Sequence, residues 1–160
     1  MKRNIVTKEE IEDNQGLNKT HFLNENARRN NKSLGDLVGI TGFGFHIIEI
    51  EPGKESSQMH AHHFEDECVY VLDGEATAYV GEDVYSLKAG DYIGYPAGGE
   101  AHNILNSGSA TLKCIVVGQR LEHDVIDYPK LGKRLFQNKG MPFNLVSENQ
   151  IEEPELGKKA

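Results

Sequence analysis

The feature that most constrains this chain is a series of short β-type segments between Thr41 and Gly118, separated by turn residues at near-regular intervals. Gly, Pro, Asn and Asp mark the turns, and no part of the series has the apolar spacing of a long helix. Many short strands with frequent turns are typical of antiparallel sandwiches and barrels. We therefore predict an all-β domain with strands at Phe43–Glu51, Gln58–His62, Glu67–Leu72, Glu75–Val80, Asp83–Leu87, Tyr92–Tyr95, Ala101–Leu105 and Ala110–Val117.

The two ends of the chain differ from this β-rich centre. Residues 1–35 are rich in Asn and charge and lack strand-like alternation, although Thr7 and Glu10 form a capping box that predicts one short helix. Towards the C-terminus the strand pattern fades into a charged, mixed segment. Because 160 residues suit one domain, we expect an N-terminal arm over 1–35, a barrel over 36–120 and a C-terminal extension over 121–160 that packs on the barrel.

The charge balance argues against several classes of partner. With 17 basic and 25 acidic side chains the net charge is -8, whereas surfaces that bind nucleic acid or anionic membrane require a basic patch. No apolar run approaches the roughly 20 residues that cross a bilayer, and no apolar stretch follows the basic start as a secretory signal would require. We expect a cytoplasmic protein with no nucleic-acid or membrane partner, in which Cys68 and Cys114 are free thiols.

Three histidines and a glutamate have the spacing of a metal site. His60 and His62 lie two residues apart on a predicted strand, so their side chains point to the same face. Glu67 opens the next strand after a turn, and His102 begins a later one. Three imidazoles and one carboxylate suit Zn, Ni, Mn or Fe better than Ca or Mg, which favour all-oxygen ligands. We predict one divalent transition-metal ion on these four side chains, with open positions left for a substrate.

His63 offers an alternative to His62 within this set. A bulge in the strand would turn His63 towards the other ligands in place of its neighbour. Regular period-2 alternation favours His60 with His62 instead.

The two stretches that carry these ligands resemble the paired motifs of the cupin superfamily. The matching positions are Gly53, His60, His62, Glu67 and Gly74 in the first motif, and Gly90, Pro96, Gly98, His102 and Asn106 in the second. The segments Leu34–Gly44 and Gly118–Leu135 are also similar to the lead-in and exit of a family of single-domain bacterial cupins. The gaps from Gly53 to His60 and from Gly98 to His102 are each one residue longer than the common pattern. The resemblance implies a double-stranded β-helix, or jelly-roll barrel, with a metal centre.

Other side chains are candidates for the wall of a pocket. His46 shares a strand face with Ile48 and Ile50, which points it inward either as a pocket residue or as a hydrogen-bonded core histidine. Cys114 lies in phase with buried apolar positions, so core packing is the more common outcome for it. The possible pocket residues are His46, Tyr92, Tyr95 and Cys114, with Tyr128 a further candidate. The basic residues Lys130, Lys133 and Arg134 form either a solvated face or an anion site.

The segment Glu67–Leu72 carries information about assembly. Val69 and Val71 occupy one face, while Cys68, Tyr70 and Leu72 make the other face apolar too. A strand with two apolar faces is expected to be covered on both. The N-terminal arm or a second subunit would cover the outer face. Because cupins commonly dimerise through such a sheet, the resemblance implies a homodimer.

An open metal site of this kind suits a metalloenzyme that acts on a small polar molecule. The metal would polarise a carbonyl or enediol oxygen in an isomerisation, or with iron it would support dioxygenase chemistry. The resemblance implies an activity like that of a sugar-phosphate isomerase. No residue is evident as the general base that an isomerase needs, although Glu67 (if weakly coordinated), His46 or a tyrosine could serve. The alternative is therefore a non-catalytic protein that binds or senses a small ligand through the metal.

Overall fold

The computed structural model describes residues 3–155 and 157, which form two short α-helices, two 3-10 turns (Pro129–Leu131 and Glu148–Gln150) and thirteen strands. The helices are α1 (Lys8–Asp13) and α2 (Leu34–Leu37). The strands are β1 (Leu17–His21), β2 (Asn24–Ser33), β3 (Phe43–Ile50), β4 (Ala61–His62), β5 (Glu67–Asp73), β6 (Glu75–Val80), β7 (Asp83–Lys88), β8 (Tyr92–Tyr95), β9 (His102–Leu105), β10 (Leu112–Gln119), β11 (His123–Tyr128), β12 (Lys133–Asn138) and β13 (Asn144–Ser147). Neither helix has the length or the apolar character needed to cross a membrane.

The strands form three antiparallel sheets. The largest has the order β1-β2-β3-β10-β5-β8, the second β7-β6-β9, and the third β13-β12-β11-β4. Within the described residues the hydrogen-bonded ladders do not join into one closed barrel. The apolar core lies between the first two sheets and consists of Ile48, Ile50, Val69, Val71, Ala76, Ala78, Tyr95, Ile104, Leu112 and Cys114. The all-β prediction is confirmed.

Side-chain alternation along β5 decides which residues reach the core. Val69 and Val71 are buried, while Tyr70 and Leu72 between and beyond them are exposed, as period-2 geometry requires. Tyr92 on the neighbouring β8 is also largely exposed. The apolar outer face of this sheet is thus present, and the homodimer that would cover it stays a prediction.

The N-terminal segment contains two strands that the sequence pattern does not predict. The capping box is formed, with the Glu10 backbone N–H donating to the Thr7 hydroxyl and the Thr7 N–H donating to the Glu10 carboxylate. The following residues, however, add β1 and β2 to the edge of the largest sheet. Arg29 and Asn31 project from the inner face of β2, so the hydrophobic alternation that normally reveals a strand is missing.

The C-terminal segment also contains strands that the sequence does not predict. β11 pairs with β12 on one side and with β4 on the other, so the segment is hydrogen bonded to the strand that carries His62. Ile126, Tyr128 and Leu135 form a second small core there, against Leu23. Residues 1, 2, 156 and 158–160 of the two predicted end segments lie outside the described residues.

Asn106 holds together the turn that follows β9. Its side chain is fully buried, and its amide donates to the carbonyls of Ile50 at 2.7 Å and Ala110 at 2.9 Å. The side-chain oxygen accepts from the Gly108 N–H at 3.0 Å. One residue therefore satisfies three backbone groups, one at the end of β3 and two in the turn itself.

We expect Asn106→Ala to lower the free energy of unfolding by about 3 kcal/mol, because it leaves buried carbonyls without a donor. The measurement is urea unfolding followed by circular dichroism. Asn144→Ala is the matched control, since Asn144 is exposed and donates only to Pro142 nearby. Equal unfolding midpoints for the two variants would contradict a structural role for Asn106.

Candidate metal centre

Four side chains converge at one end of the core. His60 and His102 face each other across a short antiparallel bridge, in which the His102 N–H donates to the His60 carbonyl at 2.8 Å. Their ring centroids are 4.6 Å apart. His62 lies in β4 and Glu67 opens β5, and the possible ligand atoms of His60, His62 and Glu67 all lie within 4.8 Å of one another. The His102 Nε2 atom is 3.7 Å from Glu67 Oε1.

Hydrogen bonds to backbone carbonyls determine which ring nitrogen of His60 and of His102 faces the centre. His60 Nδ1 donates to the Gln58 carbonyl at 2.8 Å, and His102 Nδ1 donates to the Glu100 carbonyl at 3.3 Å. A carbonyl can only accept, so each neutral ring carries its proton on Nδ1 and keeps a free lone pair on Nε2. That tautomer is the one a metal ligand requires.

His62 is oriented by a carboxylate rather than by a carbonyl. Its Nδ1 lies 2.6 Å from Asp124 Oδ2, and the other carboxylate oxygen of Asp124 accepts the Phe64 N–H at 3.0 Å. Asp124 is completely buried. Burial alone would lower the pKa of His62, but Asp124 and Glu67 outweigh it and raise that pKa. The arrangement is the carboxylate–histidine pair that commonly supports a metal ligand.

The charges of the cluster suit a divalent cation. Burial and the neighbouring His102 lower the pKa of His60 to about 3, so this ring is neutral at neutral pH. Burial would raise the pKa of Glu67, but the surrounding imidazoles lower it to about 2. Neutral imidazole and ionised carboxylate are the forms that coordinate metals.

The His102 Nε2 atom provides a direct test of whether a cation fits. This atom is buried and has no hydrogen-bond partner among the described residues, whereas buried polar atoms are normally paired. The imidazole and carboxylate donors around it suit a transition metal. His60, His62 and Glu67 thus form a group that could hold an ion, with His102 beside it.

Asp124 is the site residue that the sequence predictions miss. It lies in β11, in phase with the buried Ile126 and Tyr128. A carboxylate on an otherwise buried strand face is a recognisable signal. Its partner His62 is 62 residues away in the chain, however, so the pairing depends on a fold that the sequence pattern does not reveal.

The structure places His62 with the cluster and His63 outside it. His63 has a side chain about two-fifths exposed and contacts Asp127 at 2.9 Å. Arg134 donates to both carboxylate oxygens of the same Asp127. The predicted basic cluster of Lys130, Lys133 and Arg134 does not line the cavity beside the histidines.

A cavity of about 290 Å³ opens beside the four side chains. His46 and Tyr95 both line it. His46 Nδ1 accepts the Asn31 amide at 3.2 Å, and burial together with Arg120 lowers the His46 pKa. The Tyr95 ring stacks on His102 at 3.7 Å, and its buried hydroxyl lacks a hydrogen-bond partner among the described residues.

Two of the predicted pocket residues lie elsewhere. Tyr92 is 65% exposed on the outer face of β8, because Ile93 and Tyr95 take the inward positions of that short strand. Cys114 is fully buried within the apolar core, and burial raises its thiol pKa to about 12. Neither side chain lines the cavity. This corrects Tyr92 as a pocket candidate, whereas Cys114 takes the core position that was the more common of its two expected outcomes. Tyr128, by contrast, does line it.

The chain is similar to known proteins in sequence. The Cupin domain family matches residues 46–118. The "Oxalate-binding protein" of Thermotoga maritima is 31% identical over 117 residues, which cover 70% of this chain and 86% of that protein.

Solved structures extend this similarity to nearly the whole chain. The crystal structure of a "Putative sugar phosphate isomerase" from Acidithiobacillus ferrooxidans has 48% sequence identity and a TM-score of 0.91, covering 95% of this chain and 97% of that one. A sugar phosphate isomerase from a cupin superfamily, from Silicibacter pomeroyi, has 26% identity and a TM-score of 0.77, covering 84% and 88% respectively. With the paired motifs and the sheets described above, these matches show that the chain belongs to the cupin family and has its double-stranded β-helix fold.

Proposed function

We propose that His60, His62, Glu67 and His102 bind one divalent transition-metal ion, which is used in the isomerisation of a small phosphorylated sugar. The observation that carries the metal site is the convergence of three Nε2 lone pairs and one carboxylate, in which the buried His102 Nε2 lies 3.7 Å from Glu67 and has no hydrogen bond within the described chain. The 48% identity to the Acidithiobacillus ferrooxidans protein supports the reaction class.

The chain's own residues bind and orient the substrate in this proposal. A bound divalent ion supplies Lewis-acid polarisation of a carbonyl oxygen. The cavity of about 290 Å³ has room for one small molecule beside the ligands. Burial raises the pKa of Tyr128 to about 12, so its hydroxyl stays protonated and is available as a donor at the cavity that this residue lines. Because His46 Nδ1 accepts from Asn31, its Nε2 carries a proton as well.

One observation favours a second candidate, a metal-dependent binding protein without turnover. The other two carboxylates near His62 already accept hydrogen bonds from the protein. Asp124 accepts from His62 and from the Phe64 N–H, and Glu65 accepts the Leu121 N–H at 2.7 Å, so neither is free to act as a general base. A general base must reach the substrate proton directly or through one water. The similarity to the oxalate-binding protein of Thermotoga maritima also suits this candidate.

The metal site predicts a defined stoichiometry. We expect about one equivalent of Zn, Ni, Mn or Fe in the purified protein by elemental analysis, and loss of that metal in His102→Gln because one of the four ligands is removed. His63→Gln is the matched control, since His63 adjoins a proposed ligand but contacts Asp127 instead. Full metal content in His102→Gln, or loss in His63→Gln, would contradict the proposed ligand set.

The support that Asp124 gives to His62 predicts a graded effect. Both carboxylate oxygens of Asp124 accept hydrogen bonds, whereas an asparagine has only one acceptor oxygen. We expect Asp124→Asn to weaken metal binding roughly 10–100-fold, measured by competition with a chromophoric chelator. Asp127→Asn, on the same strand but bonded to His63 and Arg134, should keep the wild-type affinity. Equal affinities for the two variants would remove Asp124 from the site.

Turnover separates the two candidate functions. We expect metal-loaded protein to interconvert an aldose phosphate and its ketose isomer in a panel followed by NMR. Chelator treatment should abolish conversion and restored metal should recover it. Retention of a sugar phosphate without conversion would favour the binding protein. Bound iron with substrate-dependent oxygen uptake would instead favour dioxygenase chemistry.

A further inference from the structure

The hairpin formed by β1 and β2 places two cations side by side at the cavity. Lys19 and Arg29 are direct cross-strand partners in this antiparallel pair, and both line the cavity. Like charges directly opposite each other destabilise a strand pair. The chain as a whole is acidic, with a net charge of -8 that already includes these two cations. A bound anion would relieve the repulsion between these two adjacent cations.

The polar atoms of Arg29 are only partly satisfied by the protein. One guanidinium nitrogen, Nη1, donates to the Ser56 carbonyl. The Nε atom is buried and has no hydrogen-bond partner in residues 3–155 and 157. No carboxylate of those residues lies within ion-pair distance of Arg29 or Lys19. A largely buried cation with no carboxylate at ion-pair distance is destabilising, so Arg29 is not explained by stability alone.

The position of Arg29 relates it to the proposed metal ligands. Burial lowers the pKa of Arg29, and the charge of Glu67 opposes this. Burial and Arg120, with smaller effects from Lys19 and Arg29, lower the pKa of His46 on the cavity wall. Asn31, two residues along β2, lies on the same face and binds His46. Arg29, Lys19 and the proposed metal ligands all line the same cavity of about 290 Å³. A single small molecule can therefore contact the cations and the ligand cluster at once.

We propose that Arg29 and Lys19 form an oxyanion subsite that binds the phosphate of the substrate while its sugar end faces the metal ligands. The metal end of this assignment rests on the function proposed above. A guanidinium presents paired N–H donors that match phosphate or carboxylate oxygens, and Lys19 adds a mobile point charge. A small dicarboxylate shares this chemistry, so the two kinds of anion must be compared directly.

The test is isothermal titration of the metal-loaded protein with inorganic phosphate and, separately, with oxalate. We expect phosphate to bind to wild type, with Arg29→Gln and Lys19→Met each weakening it about tenfold or more. Arg28→Gln is the matched control, because Arg28 is the adjacent cation on β2, exposed and absent from the cavity wall. Tighter binding of oxalate than of phosphate, with the same dependence on Arg29, would assign the subsite to carboxylates and overturn the phosphate assignment.

Thermal unfolding separates ligand binding from a structural role. Without phosphate, Arg29→Gln should unfold at the same temperature as wild type or above it, because it removes an uncompensated charge. Added phosphate should stabilise wild type but not this variant. A large loss of stability in Arg29→Gln, with Lys19→Met unaffected in phosphate binding, would overturn the subsite.

Metal content measured on the same samples distinguishes the two proposals. Full metal content in every variant, with phosphate affinity unchanged in Arg29→Gln, rejects the subsite and leaves the metal site standing. If wild-type protein binds no metal but its phosphate binding still depends on Arg29, the proposed function is rejected and the anion subsite is supported.

Discussion

The hydrogen-bonded bridge between His60 and His102 is the contact on which the candidate site depends. It joins the segment before β4 to the start of β9 through reciprocal backbone hydrogen bonds and brings the two rings within 4.6 Å. Two segments that are distant in the chain are thereby held in register, which fixes the distance between two of the proposed metal ligands. The bridge uses only backbone groups, so the imidazole nitrogens remain available for the centre.

Both ends of the chain contribute to a site whose proposed ligands all lie in its middle. From the N-terminal side, β2 brings Arg29 and Asn31 to the cavity wall. From the C-terminal side, β11 brings Asp124 to His62 and Tyr128 to the cavity. These groups do not belong to the ligand set, but they supply orientation, hydrogen bonding and charge around it. The chemistry of the site is therefore a property of nearly the whole chain.

The strands of the centre and the convergence of the histidines could be predicted because their signals are local. His60 and His62 follow period-2 alternation, and a short turn returns the chain at Glu67. The hairpin of β1 and β2 could not be predicted in the same way. Its inner face is polar because it lines a cavity, so Arg29 and Asn31 occupy positions where a core strand would have apolar residues. Hydrophobic alternation is missing where the strand faces a cavity instead of a core.

The pairing of β11 with β4 has a consequence for how the domain is delimited. The segment that matches the Cupin domain family, residues 46–118, includes all four proposed ligands but neither Arg29 nor Asp124. A fragment cut at those limits would keep the donor atoms while exposing β4 along the edge that β11 covers. His62 would then lose the carboxylate that fixes its ring. The segment that matches the family is therefore shorter than the segment that builds the complete candidate site.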